Sequence, residues 1–193
     1  NDTAKTATDV TIAASTDFDV RVVFKQDSTS NFSTLFSVTV GSTKTVFRVN
    51  SGNDFLLRTE NNVAMTFTIS AGYVAGTEYD WTIQRRTGVI DIVDTQTTLS
   101  VVTATKIDNG ALIIQNIGSW TAGGYFNGYI SRLTVNSTND WDATASSHAA
   151  GTPILTDTIG GNNATGVNMP TDGSAWVDLG GGGISGTITQ TAQ

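Results

Sequence analysis

The sequence has few of the residues on which most reactive protein sites depend. It contains no cysteine, one histidine, and 10 basic residues against 17 acidic ones. The lack of cysteine excludes disulfides, thiolate metal sites and a cysteine nucleophile. The basic residues are scattered along the chain, whereas nucleic-acid binding needs them clustered on one face. The net charge of -7 also argues against docking on an anionic membrane.

Long apolar runs are absent as well. No uninterrupted apolar stretch approaches the roughly 20 residues that a membrane-spanning helix needs, so membrane insertion is not expected. Charged residues make up 14% of the chain, and solubility therefore depends largely on Ser, Thr, Asn and Gly. Such a polar but weakly charged composition is common on extracellular and virion surfaces, and we predict a location of that kind.

Apolar and polar residues alternate with a period of two over much of residues 9–135. In Phe18–Lys25 the even positions are apolar, and Met65–Ile69 and Tyr79–Gln84 repeat the pattern. Turn signals separate these short segments, and no window shows sustained helical periodicity. Further strands are predicted at 99–103, 111–114 and 125–135. The pattern predicts an all-β chain folded as an antiparallel β-sandwich, of the jelly-roll kind.

The composition changes after Asn136. Residues 136–152 are rich in Asn, Asp, Ser, Ala and Gly, which predicts a loop. Ile154–Asp157 and Trp176–Leu179 are predicted as short edge strands around a turn rich in Gly and Asn.

A single domain is therefore expected over residues 1–179, with core strands at about 9–136 and a C-terminal edge segment at 153–179. Residues 180–193 are predicted to be a flexible glycine joint and a tail with weak strand character. That tail is expected to pair with a neighbouring strand or with another copy of the chain, because a sandwich edge offers unpaired backbone groups.

Three segments, taken in order, carry a resemblance to a known family. They are the strand Phe18–Phe24, the hairpin Tyr79–Arg85 with Gly88–Ile92, and the pair Ile117–Ser119 and Phe126–Leu133. Together they resemble the laminin-G-like branch of the concanavalin A-like lectin/glucanase superfamily, of the type found in phage virion and bacterial surface proteins. The resemblance implies a concanavalin A-like jelly roll, with carbohydrate binding, carbohydrate hydrolysis and one calcium ion at the sandwich rim as family properties.

Hydrolysis of sugars usually needs two carboxyl groups about 5–9.5 Å apart. The glucanases that the chain resembles place Glu, Asp and Glu alternately on one strand. The two glutamates of this chain, Glu60 and Glu78, do not form that pattern. The single histidine, His148, has no nucleophile-elbow motif to serve. We therefore predict that the chain is not an enzyme.

Calcium is the most plausible metal, because it binds hard oxygen ligands such as carboxylates and carbonyls. Asp91, Asp94 and Asp108 are the candidate ligands, and Asp140 and Asp142 are a further pair. None of them has the spacing of an EF-hand loop. Aspartates in turns also commonly cap the backbone, and the sequence leaves both interpretations open.

Carbohydrate binding has a different signature, in which aromatic rings stack on sugars beside amides and carboxylates. Trp120 and Tyr125 lie in a glycine-rich stretch before the last clear strand, and Trp141 follows Asp140. These four residues are the candidate carbohydrate site. The alternative is that Trp120 and Trp141 close the ends of the core, where Trp is often buried.

The sequence as a whole favours a non-enzymatic binding module displayed on a phage particle or a bacterial surface. Its partner would be a glycan or a cell-surface receptor, with capsid, tail or other copies of the chain as further candidates. One alternative is a purely structural virion decoration or fibre domain. Another is a glycoside hydrolase or polysaccharide lyase.

Overall fold

Short antiparallel strands account for nearly all the regular structure. The computed structural model describes residues 3–28, 33–40, 43–50, 54–119, 125–175 and 188–189. In this part of the chain no helix has the length and apolarity needed to cross a membrane. A single-turn 3₁₀ helix spans Ala143–Ala145. The strands are β1 Thr3–Ile12, β2 Phe18–Gln26, β3 Ser33–Val40, β4 Thr43–Val49, β5 Asp54–Arg58, β6 Ala64–Thr68, β7 Glu78–Arg86, β8 Val89–Asp94, β9 Lys106–Ile107, β10 Leu112–Ile117, β11 Gly128–Val135, β12 Asn139–Asp142, β13 Ile154–Asp157, β14 Ala164–Val167 and β15 Ile188–Thr189.

The strands form two layers, which we call sheet A and sheet B. Sheet A has the order β6-β5-β4-β3-β10-β1-β14, and sheet B has the order β12-β11-β2-β7-β8-β9. Strand β13 pairs with β12 on one side and with β14 on the other, so it joins the two sheets. Strand β15 pairs with β11. The arrangement is an antiparallel β-sandwich, as the alternation of the sequence predicted.

Alternate side chains of the central strands meet in one core between the sheets. Along β2 every second residue is buried, from Phe18 to Gln26. The ring of Phe55 on sheet A lies 6.2 Å from Phe24 and 5.2 Å from Trp81, both on sheet B. Each such buried aromatic side chain contributes about 1.5–3 kcal/mol through removal of apolar surface from water. The period-two pattern thus determines which face of each strand packs against the core.

The two sheets are also connected at the opposite side of the sandwich. Residues 99–103 form isolated bridges there, Val93 with Ser100 and Ile69 with Val102, instead of the predicted strand. The amide of Val101 donates to Ile92 of sheet B, while the amide of Thr103 donates to Thr68 of sheet A. This segment is shared between two strands, so it pairs with neither over a long register.

Gly128 opens β11 at a point where two backbones nearly touch. Its φ is +140°, and a Cβ atom there would collide with the carbonyl of Lys25 and the backbone of Gln26 on β2. A glycine within a strand is typical of such a close approach of another backbone.

The predictions for the C-terminal third were partly wrong. Strand β12 lies within the predicted loop 136–152, and β14 lies within the predicted turn. Strand β13 is not an edge strand, because it has a partner on each side. Three of the four β12 residues are buried, two of them polar, so their sequence shows no alternation. Strand β1 also begins well before residue 9. Trp176–Leu179 lie outside the described residues.

A candidate binding groove on the outer face of sheet B

The outer face of sheet B is polar, because every second residue of its strands points away from the core. Thr134 of β11 pairs with Arg21 of β2, and Arg21 pairs with Thr82 of β7. In the next row, Asp19 pairs with Gln84, and Gln84 pairs with Asp91 of β8. Charged, amide and hydroxyl side chains therefore lie next to one another across four strands.

A groove of about 330 Å³ crosses this face. Ligand sites in proteins typically begin at about this size. Val93, which is 6% exposed, lies at the floor of the groove, and the other lining residues carry one carboxylate, one guanidinium, two amides and four hydroxyls. We call the following set the sheet-B groove: Asp19, Arg21, Thr82, Gln84, Val93, Thr95, Thr98, Thr134 and Asn136.

A bidentate ion pair fixes the guanidinium in this groove. The Nε and Nη2 atoms of Arg21 donate to the two carboxylate oxygens of Asp80 at 2.8 and 2.7 Å. This hydrogen bonding with Asp80 raises the pKa of Arg21 above its usual value, against the opposing effect of burial. Two parallel hydrogen bonds hold the planar group in one orientation, so the edge that carries Nη1 is presented in a defined direction.

A second pair repeats this geometry on the neighbouring strands. Arg132 of β11 donates to both oxygens of Asp140 at 2.8 and 2.6 Å. The hydroxyl of Thr134 donates to the same carboxylate at 3.0 Å. These contacts, the one with Arg132 above all, lower the pKa of Asp140. The groove hydroxyl of Thr134 is therefore itself held in place.

One side of the groove is formed by the turn that follows β8. The carboxylate of Asp94 accepts hydrogen bonds from the amides of Gln96 and Thr97 and from the Thr97 hydroxyl, at 2.8 to 3.2 Å. The bonds from Thr97 come first among the causes that lower the pKa of Asp94. The Thr95 hydroxyl is 2.9 Å from that of Thr82. The turn is thus tied to the sheet beside it.

The opposite side is formed by the turn between β11 and β12. Asn136 has a φ of +49°, a left-handed conformation that Asn tolerates better than most residues. Its side-chain oxygen accepts a hydrogen bond from the backbone amide of Asp19 at 2.8 Å, and its backbone amide donates to the Asp19 carbonyl at 2.7 Å. This reciprocal pair leaves the Asn136 side-chain nitrogen as a hydrogen-bond donor at the rim.

Gln84 lies between the two sides and has no hydrogen-bond partner for its carboxamide among the described residues. Its neighbours on the adjacent strands are both aspartates, Asp19 and Asp91. Asp19 accepts from Arg86 at 2.6 Å, and Asp91 accepts from Ser100 at 2.7 Å. The Gln84 carboxamide can both donate to and accept from a bound hydroxyl.

The predicted carbohydrate residues do not lie together. Trp141 is fully buried, and its indole N–H donates to the Asn162 carbonyl at 2.7 Å, so its ring offers no face to a sugar. It closes the core, which was the alternative that the sequence left open. Asp140 is 4% exposed and engaged by Arg132.

Tyr125 lies beyond the other end of β11. It is partly exposed and precedes Phe126, whose ring packs 5.9 Å from Phe24 in the core. The groove residue Thr134 is close to the far end of the strand. Trp120 lies outside the described residues, so a carbohydrate site at Trp120 and Tyr125 stays a prediction. Such a site would lie at the end of β11 opposite the sheet-B groove.

The three predicted calcium ligands have separate protein partners. Asp94 caps its own turn, and Asp91 accepts from Ser100 and from the amide of Ile92. Asp108 is 8% exposed and accepts from Thr59 at 2.6 Å and from Gly110 at 2.9 Å. Within the described ranges, no group of three or more His, Cys, Asp or Glu residues could hold a metal ion. Calcium binding stays a prediction without an assembled site at these positions.

Asp108 belongs instead to a buried network around Arg85. The guanidinium of Arg85 is fully buried and donates to the carbonyls of Thr16, Gly110 and Ala13. Burial lowers the pKa of Arg85, an effect that the nearby Asp108 opposes. The network anchors the β9–β10 connection to the turn between β1 and β2.

Two residues considered for catalysis also have structural contacts. The Nε2 atom of His148 is 2.8 Å from the carbonyl of Ala143. Glu78 accepts a hydrogen bond from the Tyr129 hydroxyl at 2.7 Å on the outer face of sheet B.

Sequence reasoning did not identify the groove residues as a site. The alternation showed that Thr82 and Gln84 point away from the core, but the same was true of many other residues. The missing information was the strand order, which places β11, β2, β7 and β8 side by side. Among the groove residues, Asn136 is of a type that favours turns, and it follows the last predicted core strand.

No family model and no curated protein matches the sequence. Among solved structures, the chain is similar to a candidate carbohydrate-binding protein from Bacteroides ovatus, with a TM-score of 0.55 and 11% identity. The match covers 86% of this chain and 57% of that one, so the chain spans little more than half of its neighbour's length. A heptameric SAP-like pentraxin from Limulus polyphemus has a TM-score of 0.48 and 15% identity, with 69% of each chain covered.

At 11% identity, the first of these likenesses bears on the fold alone. It agrees with the layers and strand pairing described above, and the predicted antiparallel jelly-roll sandwich is confirmed.

Proposed function

We propose that this chain is a non-enzymatic carbohydrate-binding module displayed on a phage particle or a bacterial surface, and that its glycan lies in the sheet-B groove. The observation that carries the proposal is the convergence of fixed polar groups on one groove. Arg21 is oriented by Asp80, Asn136 is held by Asp19, and Gln84 has an uncommitted carboxamide.

Such a lining suits a ligand rich in hydroxyl groups. A sugar hydroxyl both donates and accepts hydrogen bonds, and the groove offers donors and acceptors within one small volume. Because several of the polar groups are already fixed by the protein, little side-chain entropy is lost when a ligand binds. The similarity in fold to a candidate carbohydrate-binding protein supports the same class of ligand.

A glycan array with the wild-type chain would identify a ligand, and calorimetry with that glycan would test the site. We expect Gln84→Ala to weaken binding about tenfold, which corresponds to about 1.4 kcal/mol for lost hydrogen bonds. The Gln84 carboxamide makes no bond within the described residues that the substitution would break, so the fold should be unaffected. Unchanged affinity in Gln84→Ala would contradict the placement of the ligand in this groove.

Thr66→Ala provides a matched control. Thr66 is an exposed residue of β6, on the outer face of the other sheet. A loss of affinity in this variant would show a general effect of surface substitution. Trp120→Ala and Tyr125→Ala test the site predicted from sequence at the other end of β11. Weaker binding in these two variants, together with unchanged binding in Gln84→Ala, would show that the glycan binds at Trp120 and Tyr125 and not in the sheet-B groove.

The absence of catalysis is tested separately. The glycan that binds is incubated with the chain, and released reducing sugar or unsaturated product is measured. We expect none above the buffer control, because the alternating Glu–Asp–Glu strand of the resembled glucanases is missing. Sustained release that disappears in Asp19→Asn or Asp91→Asn would replace the proposal by an enzymatic one.

A further inference from the structure

Strand β11 is longer than the strand that covers its outer edge. Its pairing with β12 extends only from Arg132 to Val135. Strand β12 ends at Asp142, whose carboxylate accepts from the amide and hydroxyl of Thr144 and so starts a 3₁₀ turn. The chain turns away there, and the edge of β11 that precedes Arg132 is left without β12.

The C-terminal strand of the same chain occupies that edge. Tyr129 pairs with Thr189 and Ile130 pairs with Ile188, in antiparallel register. On its other side the same part of β11 pairs with Lys25 and Phe24 of β2. This part of β11 therefore accepts a short antiparallel strand on the side opposite β2. The accepted strand lies next to the last residue of β12.

This pairing is short, and its donor is remote in sequence. Residues 176–187 separate β15 from Ala175, and they include four consecutive glycines, Gly180–Gly183. The two paired residues thus do not require that donor and acceptor belong to one chain.

We propose that the edge of β11 at Tyr129–Ile130 is a strand-acceptor site for the C-terminal strand of a second copy of this chain. Each copy carries both the donor and the acceptor, so reciprocal exchange of β15 closes a symmetric pair without any new contact. Backbone hydrogen bonds provide the affinity, as in other cases of strand addition.

The concentration of the chain determines whether β15 comes from the same copy or from a second one. A copy's own tail competes at an effective concentration on the order of 1 mM. Exchange is then rare in dilute solution and common where copies are crowded. The proposal is independent of the sheet-B groove, because Tyr129 lies toward the opposite end of β11 from Thr134.

The acceptor is tested with a full-length chain whose own tail cannot pair. The double substitution Ile188→Pro and Thr189→Pro removes backbone donors from β15, since proline has no N–H. A fluorescent peptide of residues 184–193 then stands in for the strand of a second copy. We expect it to bind the double variant, to protect from exchange the one amide of Tyr129 and Ile130 that faces away from β2, and to bind the wild type about tenfold more weakly. Absence of binding to either chain, or equal binding to both, overturns the acceptor site.

The second copy is tested by sedimentation of the full chain up to about 1 mM, the effective concentration of the tail. We expect dimers in the wild type, loss of dimers in the double proline variant, and dimers retained in Thr191→Pro, where the proline lies beyond β15. A wild type that stays monomeric throughout, or dimers that persist in the double variant, would overturn exchange between copies.

Discussion

Arg21 of β2 binds Asp80 of β7 through two parallel hydrogen bonds of 2.8 and 2.7 Å, diagonally across the outer face of sheet B. The carboxylate lies just outside the groove and the guanidinium inside it. Asp80 thereby acts as a positioning residue, since it determines where the free edge of Arg21 points.

The first prediction follows from this pair. In Asp80→Asn the guanidinium loses its bidentate partner and becomes free to rotate, so we expect glycan affinity to fall about tenfold. Arg21→Lys should weaken binding similarly, because an ammonium group cannot form the two parallel bonds. Calorimetry with the glycan identified on the array measures both. Binding that is unchanged in Asp80→Asn while Arg21→Lys weakens it would remove the positioning role from Asp80.

The second prediction concerns pH. Asp157 is 4% exposed, and its burial opposes ionisation. Hydrogen bonds from the amides of Asp140, Gly160 and Ile159 and from the side chain of Asn139 outweigh burial and lower its pKa to about 2. The pKa in the unfolded chain is about 3.9, so ionised Asp157 stabilises the fold above that pH, and the contribution is lost as the pH falls toward 2.

That contribution is about 2.6 kcal/mol. We expect Asp157→Asn to lower the free energy of unfolding at neutral pH and to make stability less dependent on pH between about 4 and 2. Urea unfolding at several pH values measures this difference, with the exposed Asp9→Asn as control. If both variants show the same pH profile as the wild type, the hydrogen bonds to Asp157 do not lower its pKa as described.

The third prediction concerns Gly128. In Gly128→Ala the new Cβ collides with the β2 backbone, and we expect a loss of about 3 kcal/mol in stability. Gly151→Ala is the matched control, because Gly151 has a similar φ of +135° and no heavy atom within 4 Å of the point that a Cβ would occupy. Equal losses in the two variants, measured by urea unfolding, would attribute the effect to backbone strain alone and not to the close approach of β2.

The fourth prediction concerns buried charge. Arg85→Met leaves the carbonyls of Thr16 and Gly110 without their donor, and we expect it to cost about 3 kcal/mol. Arg86→Met is the neighbouring control. Arg86 pairs with Asp19 and also donates to the carbonyls of Phe18 and Arg85 at 2.9 Å. Because the Arg86 and Asp19 side chains are about half exposed, at 49% and 48%, we expect its loss to cost less than that of Arg85, about 1 kcal/mol. Thermal and urea unfolding rank the two variants, and the reverse order would contradict a structural role for Arg85.

The fifth prediction concerns calcium. An ion that binds the folded chain and not the unfolded one raises its melting temperature, and the shift grows with the ion concentration relative to Kd. Because Asp91, Asp94 and Asp108 already accept bonds from the protein, we expect any shift produced by calcium to persist in Asp94→Asn and to vanish with a chelator. A shift that is present in the wild type and absent in Asp94→Asn would place the ion at the turn after β8.

Sequence reasoning predicted the strands whose two faces differ. In β2 and β7 one face is apolar and the other polar, so Phe24 and Trp81 could be placed in the core at once. In β12 the pattern fails, because Asn139 and Asp140 are buried among hydrogen-bond partners instead of apolar neighbours. Burial of this kind depends on partners distant in sequence, such as Asp157.

The groove could not be predicted for a related reason. Gln84, Arg21 and Thr134 are each ordinary outward-facing residues of their own strands. They become neighbours only through the order β11-β2-β7, which is a property of the whole chain. For Trp141 the sequence left open whether the ring binds a sugar or closes the core, and its burial depends on the packing of the whole chain.

The connections between the two sheets bear on how crowded copies of such a sandwich behave. Strand β13 joins the layers on one side, and residues 99–103 bridge them on the other. Long unpaired strand edges template aggregation between molecules. Strand β13 pairs along one side of this sandwich, and the bridges of residues 99–103 interrupt the edges on the other side. Crowded copies would then resist fusing into continuous sheets at these two sides, and strand exchange between them would be confined to the short edge at Tyr129–Ile130.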